Sequence, residues 1–363
     1  MVEDEKDPIH DYRKTIDNID KKILLLLNER ARVVINIGKI KKDKNADFHV
    51  PTREQEILAR LEKINPGDFP NEALRTVFKE IMSASLSLES PLMICYLGPE
   101  ATFAHLASMK YYGLSSQYIP ANSIREVFNK VVRETADYGV VPIENSTEGV
   151  VNHTLDMFMD FDLKIYSEIL EEVSQHLLSK GNSIENIRNI YSHPHAIAQC
   201  SLWLEKNMPQ IPVKEVYSTA KAAEMCKDDP SAGAIASEMA AELYGLKIVR
   251  RNIEDNTNNY TRFLVISKKY CQKTGDDKTS IMFSIKDRVG ALYNMLKPFA
   301  THKINLTRIE SRPSKKKVWE YNFYIDLEGH IEDENVKKAL EELEEESIFL
   351  KILGSYPIAK ADS

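Results

Sequence analysis

No proline interrupts residues 9–50, and that absence constrains the chain more than any other feature. Within the stretch Ile16, Ile19, Ile23, Leu26, Leu27, Val34 and Ile35 recur at three- and four-residue spacing, the period of one helix face. The spacing predicts a helix from about Asp11 to Lys42, longer than most globular helices and therefore packed against partner helices. Thr52-Arg53-Glu54-Gln55 reads as a capping box opening a second helix, which Asn65-Pro66-Gly67 closes. A third helix is predicted from Asn71 to Glu89, with Leu74, Val77, Phe78, Ile81 and Leu88 turned inward.

From Met93 the texture changes to short apolar strands, each running into a polar turn and then a helix. Strands are expected at Met93–Leu97, Tyr138–Val141, Ile190–Tyr191, Val213–Tyr217, Ala232–Ala236 and Phe263–Ile266. Such alternation predicts an open α/β sheet with its ligands at the carboxyl ends of strands. Lys268–Lys278 reads as a polar linker. Beyond it the expected order is strand 279–285, helix 290–301, strands 304–312 and 318–328, helix 333–346 and strand 348–356. That is βαββαβ, a ferredoxin-like α+β module.

Charge and cysteine usage exclude several function classes. The net charge of −7 rules out nucleic-acid binding through a bulk positive field. No apolar run approaches the roughly 20 residues that span a bilayer. The acidic start Met1-Val2-Glu3-Asp4-Glu5-Lys6-Asp7 has no apolar leader segment. Cys95, Cys200, Cys226 and Cys271 lie far apart without zinc-ligand spacing. A cytoplasmic protein with neither metal nor cofactor is expected.

Helix arithmetic places the basic residues of the first helix. Arg30 and Lys41 are 11 residues apart, so they share a face roughly 16 Å apart along the axis and could bracket a small dianion. Arg13 lies 17 residues before Arg30, roughly 25 Å away, beyond the reach of a metabolite-sized ligand. If Arg13 takes part, it comes from a second chain, and a homodimer is expected.

Arg13, Asn28-Glu29-Arg30, Ile37-Gly38-Lys39-Ile40-Lys41, Arg53-Glu54 and Ser85 with Glu89 resemble the all-helical chorismate mutase domain. The resemblance implies that Arg13 of the partner, Arg30 and Arg53 bind chorismate's carboxylates and neighbouring groups. It also implies that Lys41 hydrogen-bonds the ether oxygen, that Glu54 holds a hydroxyl, and that Ser85 and Glu89 line the site. Val50 stands where some members have Asp, and Glu89 where some have Gln. A carboxylate cannot donate a hydrogen bond to the ether oxygen, so Glu89 is expected to act in its protonated form, with mutase activity falling as pH rises.

In the central region Thr102, Asn145-Ser146, Ser192 and Ser218-Thr219 follow strand ends, where hydroxyls and backbone N–H groups can converge on an anion. Taken singly, each is an ordinary helix cap. Leu97-Gly98-Pro99-Glu100-Ala101-Thr102-Phe103, Val141-Pro142-Ile143-Glu144-Asn145-Ser146 with Gly149, Ser192-His193-Pro194 and Asn259-Tyr260-Thr261-Arg262-Phe263 look like prephenate dehydratase. The resemblance implies a two-lobed α/β fold of the periplasmic-binding-protein-like kind, with the active site between lobes. Thr261 is then the principal catalytic residue. Thr102, Glu144, Asn145, Ser146, Ser192, Gln199, Ser218, Thr219, Arg262 and Phe263 are the expected prephenate contacts, with Glu144 a second candidate acid. His193 and His195, flanking Pro194, read as structural.

Gly290-Ala291-Leu292-Tyr293 and Glu310-Ser311-Arg312-Pro313 look like the regulatory ACT domain of enzymes making phenylpyruvate. By that resemblance Gly290, Ala291, Leu292, Glu310, Ser311, Arg312 and Pro313 bind L-phenylalanine as an allosteric effector, with Gly290 leaving room for close backbone approach. Three domains are expected: a mutase domain at 1–91, a dehydratase domain at 92–268 and an ACT domain at 279–357. Together they imply a bifunctional enzyme of phenylalanine biosynthesis under feedback inhibition. An arogenate-preferring dehydratase and a phenylalanine-sensing protein with decayed catalytic sites are the alternatives.

Overall fold

The computed structural model describes residues 8–43, 51–147, 149–285, 288–313 and 321–359. The chain divides into two compact units, Met1–Leu92 with Tyr112–Ser116, and Met93–Tyr111 with Gln117–Ser363. The first unit holds α1 (Pro8–Asp43), α2 (Pro51–Ile64) and α3 (Asn71–Glu89). The unbroken 36-residue α1 is what the missing prolines require. Helix α2 opens one residue earlier than the capping box suggests. Pro51 takes the first helical position, where its fixed φ suits a helix and its missing N–H costs nothing, so Thr52 lies inside the helix. Val50 lies outside the described residues.

Burial in this unit departs from the amphipathic reading. Leu74, Met82, Ser83 and Ser85 are the buried residues of α3, whereas Val77 and Leu88, expected inward, lie about half exposed. On α1, Tyr12, Ile16, Leu25 and Leu26 are mostly exposed. Three helices supply too little surface to cover a helix this long from all sides.

In the second unit one sheet is formed by β1 (Met93–Leu97), β2 (Gln117–Ala121), β3 (Tyr138–Asn145), β4 (Gly149–Val150), β5 (Lys164–Glu172) and β11 (Tyr260–Ser267). The other contains β6 (His176–Ser179), β7 (Asn189–Ser192), β8 (Val213–Glu215), β9 (Ala232–Ala236) and β10 (Lys247–Arg250). Their orders are β2-β1-β3-β11-β5, with β4 on β3, and β10-β6-β9-β7-β8. The chain therefore crosses from the first sheet to the second after β5 and returns at β11, which makes two lobes. Helices α4 (Phe103–Tyr112), α5 (Ile124–Val132) and α6 (Asn152–Asp160) accompany the first sheet, and α7 (Pro194–Gln199), α8 (Ser201–Asn207), α9 (Thr219–Cys226) and α10 (Glu238–Tyr244) the second.

The last module is a four-stranded antiparallel sheet, β13-β14-β12-β15, built from β12 (Asp277–Ser284), β13 (Leu306–Pro313), β14 (Tyr321–Glu328) and β15 (Phe349–Pro357). Helices α11 (Ala291–Thr301) and α12 (Glu334–Glu346) close over it around Phe283, Met295, Phe299, Ile325, Leu327, Val336 and Leu343. The strand expected from residue 318 is described from Tyr321 onward, and residues 314–320, Trp319 among them, lie outside the described residues.

This sheet packs on the first lobe through polar groups as well as apolar ones. Arg262 on β11 donates to Glu168 on β5 at 2.7 Å, to Asp326 on β14 at 2.6 Å and to the Tyr356 hydroxyl on β15 at 3.0 Å. Lys278 adds a second cation on Glu168 at 2.9 Å. Burial works against the Arg262 charge, but Tyr356, Asp326 and Glu168 outweigh it and hold the guanidinium above its ordinary value. Burial likewise opposes the Asp326 charge, and Arg262 with Ser280 overrides it, so this carboxyl lies below the usual range. Tyr324 Oη donates to the Leu155 carbonyl, and Lys351 to the carbonyls of Phe158 and Phe161 at the end of α6.

Strand β15 passes so close to β5 that only glycine fits at 354, because a Cβ there would stand 2.1 Å from the Ile165 carbonyl oxygen. Gly354→Ala should therefore lower stability by about 1–3 kcal/mol, read as a drop in the melting temperature of the dehydratase–ACT portion.

Candidate active sites

In the helical unit, Arg30 and Lys41 point from α1 toward α3. Arg30 donates to the Ser85 hydroxyl, and Ser85 Oγ donates to the Ile81 carbonyl at 2.6 Å. Lys41 Nζ lies 3.5 Å from Glu89 Oε2, and the Glu89 side chain is only 8% exposed. Gly38 makes the crossing possible, since a Cβ there would already sit 3.0 Å from Glu89 Cγ. Burial pulls the Arg30 guanidinium below its ordinary value, against the opposing pull of Glu89. One chain thus brings together Arg30, Lys41, Ser85 and Glu89. Glu89 is the ion-pair partner of Lys41 in this arrangement.

The other expected chorismate contacts lie on α2 and at the start of α1. Arg53 is exposed and pairs with Glu56 one turn along α2 at 3.0 Å, while Glu54 beside it is half-buried. Arg13 is exposed on the same unbroken helix as Arg30, roughly 25 Å back along its axis.

Between the two sheets of the second unit lies a cleft of about 250 Å³, lined by Thr147, His195, Ala198, Gln199, Asp255, Asn256 and Asn259. Thr261 and Asn145 are directly opposed on β11 and β3, and Asn145 Nδ2 donates to Thr261 Oγ1 at 2.9 Å. The same nitrogen donates to Asn259 Oδ1 at 2.9 Å. The Asn145 carbonyl oxygen accepts from the Thr147 backbone N–H and hydroxyl, at 3.0 and 2.6 Å. These two donors fix which way the amide points.

The chain of donors extends further. Gln175 Nε2 donates to Gln199 Oε1 at 3.2 Å, and Gln199 Nε2 donates to Thr147 Oγ1 at 3.4 Å. Every bond runs the same way, Gln175 to Gln199 to Thr147 to Asn145 to Thr261. Thr261 therefore accepts from the network, two bonds removed from Thr147 in the lining of the cleft. Asn259 Nδ2 is buried with no partner and offers a further donor.

Of the expected prephenate contacts, the structure groups Asn145 and Gln199 with Thr261 and turns several others away. Alternation along a strand explains two of these, Arg262 and Glu144, and a register shift between Arg262 and Phe263 accompanies the third. Arg262 points opposite to Thr261, into its buried ion pairs. Phe263, 2% exposed, belongs to the core. Glu144, next to Asn145, faces Arg308 at 3.4 Å. Ser192 is buried and donates to the Ile235 carbonyl at 2.7 Å. Thr102 is spent on the Leu97 and Pro99 carbonyls. Ser218 caps α9, and Thr219 is its first residue. Ser146 bridges Asn258 and Tyr260.

His193 accepts from the His195 N–H and caps α7, and burial holds its imidazole below the ordinary value. His195 lines the cleft. Sequence reasoning missed Thr147, Gln175 and Asn259 as members of the network. Asn259 stood inside the quoted motif, whereas Gln175 lies just before β6, a strand with no signal in the sequence.

In the ACT module a hollow of about 370 Å³ is lined by Ile285, Arg288, Gly290, Ala291, Leu292, Tyr293, Tyr321 and Phe323. Gly290 has φ +79° ahead of α11 and nothing within contact of its missing Cβ. Backbone conformation, more than close approach, is what asks for glycine there. Ser311 and Pro313 are cross-strand partners of Phe323 and Tyr321 in that wall, and Glu310 precedes them on β13. Arg312 instead pairs with Asp156 on α6, 3.3 Å away. Among the described residues no group of His, Cys, Asp and Glu is arranged to hold a metal.

Three family models match the chain in order: chorismate mutase type II over residues 12–90, prephenate dehydratase over 94–271 and the ACT domain over 279–345. A bifunctional chorismate mutase/prephenate dehydratase of Aquifex aeolicus is 54% identical over 355 residues, covering 97% of this chain and 98% of that protein. The chain belongs to this bifunctional family. The prephenate dehydratase of Arthrobacter aurescens, solved with L-Phe, matches 73% of this chain and 90% of its own at TM-score 0.68 and 35% identity. GqqA, described as a novel type of quorum quenching acylase, matches 73% of this chain and 98% of its own at TM-score 0.67 and 30% identity. The scaffold alone therefore does not fix the chemistry. The whole-length relative does.

Within this family member, Thr147→Val removes the hydroxyl that donates to Asn145 and accepts from Gln199, and leaves only the backbone N–H on Asn145. Dehydratase kcat should fall about ten- to hundredfold, with mutase turnover unchanged as the internal control.

Proposed function

We propose that the chain converts chorismate to prephenate in its helical unit and prephenate to phenylpyruvate in the cleft, and that L-phenylalanine inhibits the second step from the ACT module. The first reaction is an intramolecular rearrangement that needs no nucleophile, only a fixed conformation and stabilisation of charge developing on the ether oxygen. Arg30 and Lys41 supply that positive field, and Ser85 orients the guanidinium. The position of Arg13 and the uncovered apolar face of α1 support a homodimer in which Arg13 completes the partner's pocket.

In the second reaction the bond from ring to carboxylate breaks and releases CO₂. Its electron pair enters the ring, the ring C–O bond breaks, and the departing hydroxide takes a proton to leave as water. Hydroxide is a poor leaving group, so a hydrogen-bond donor at that oxygen is what the site must provide. The one-way donor network ending on Thr261 carries this reading, because that hydroxyl accepts from Asn145 and its own hydrogen is not used within the network. Neither step calls for a cofactor. The four buried cysteines, all thiols, support a cytoplasmic setting. Among the described residues no helix is long and apolar enough to cross a membrane.

The effector reading rests on the hollow around Gly290 and Phe323. L-phenylalanine inhibits to the extent that it binds one conformation better than the other.

Thr261→Ala should lower dehydratase turnover by at least about a hundredfold while mutase turnover stays within about twofold. Equal loss of both would count against the assigned role. Arg13→Ala and Lys41→Ala chains should each lack mutase activity. After unfolding and refolding together they should recover about a quarter of wild-type activity, because half the dimers then hold one intact pocket of two. No recovery would rule out a shared pocket.

A further inference from the structure

The ACT sheet carries a row of side chains that faces the back of the catalytic strand pair. Arg308 on β13, Asp326 on β14 and Ser280 on β12 are directly opposed in register. On the dehydratase side Glu144 on β3 and Arg262 on β11 are likewise directly opposed. Charges match across the two rows, with Arg308 Nε 3.4 Å from Glu144 Oε2 and Arg262 Nη1 2.6 Å from Asp326 Oδ2. Arg262, Asp326 and Arg308 are each no more than 13% exposed, so water and salt screen these pairs weakly.

One residue along each strand, Asn145 and Thr261 form the neighbouring register pair. Consecutive strand residues point to opposite faces. The same two strands therefore hold an amide and a hydroxyl in the hydrogen-bond network that reaches the cleft through Thr147 and Asn259, and two anchored charges against the ACT sheet.

We propose that Glu144 and Arg262 are positioning residues of the dehydratase reaction, through which Arg308 and Asp326 of the ACT sheet hold Asn145 and Thr261 in reactive geometry. The inference rests on the dehydratase reading of the cleft. The two anchors are unequal. Arg262 is held by Glu168, Asp326 and Tyr356 together, whereas Glu144 is more open to solvent and Arg308 keeps one buried nitrogen, Nη2, without a hydrogen-bond partner. Arg308 also lies on the strand that ends in Glu310-Ser311-Arg312-Pro313. A ligand that displaces β13 therefore acts first on the weaker anchor, next to Asn145.

The test uses the full-length chain and its own mutase turnover as the count of folded enzyme. Arg308→Gln should lower dehydratase kcat about tenfold, with KM within about twofold and mutase turnover unchanged. The double variant Glu144→Gln with Arg308→Gln should be no slower than Glu144→Gln alone, because the two changes break one contact. Asp326→Asn, which keeps the side-chain shape, repeats the test at the buried anchor. A kcat per folded enzyme that is unchanged in Arg308→Gln or Asp326→Asn overturns the proposal, even with a lower melting temperature. So does a double variant whose loss is the product of the single losses. A wild-type chain without dehydratase turnover would sink the function reading, and this inference with it.

Discussion

The buried guanidinium of Arg262 is the interaction on which the second unit depends. It stands where β11 of the dehydratase lobe meets the ACT sheet, and three partners from two modules converge on it. Removing one partner from such a group leaves a charge in a poorly solvated place, which costs about 3–5 kcal/mol. The arrangement therefore commits the two modules to one another. Dehydratase and ACT residues fall in a single compact unit for this reason, although their sequences look like separate domains joined by a polar linker.

That commitment also explains which parts of the chain were legible beforehand. The three helices, most of the strands and the βαββαβ order followed from periodicity and turn residues, because each segment there obeys the pattern of its own element. The strand β5 did not. Lys164-Ile165-Tyr166-Ser167-Glu168-Ile169-Leu170-Glu171-Glu172 reads as polar, yet Glu168 and Glu171 are buried in ion pairs with Arg262, Lys278 and Lys110. A pattern of letters cannot show that a charge is paired. Strands β2, β4, β6 and β10 were missed as well.

The candidate sites were legible to a similar degree. Helix spacing pointed to Arg30 and Lys41, a strand-end position to Asn145, and the prephenate dehydratase resemblance to Thr261, and the structure groups each with chemically sensible neighbours. Residues adjacent to these in the motifs were harder to assign, because adjacency in a strand means opposite faces. Arg262 follows Thr261 in the chain and shares none of its surroundings. Serine and threonine at strand ends divided into helix caps and network members, a distinction that depends on where a neighbouring carbonyl lies.

The long first helix has a consequence for how the protein behaves at low abundance. Much of its apolar surface is exposed among the described residues, so on the two-chain reading its order is tied to encounter with a second copy by mass action. The lobes and their regulatory sheet carry their own cores. Dilution would then silence the rearrangement before it touches the aromatising step, so that a cell making little of this polypeptide could still consume prephenate it received from elsewhere.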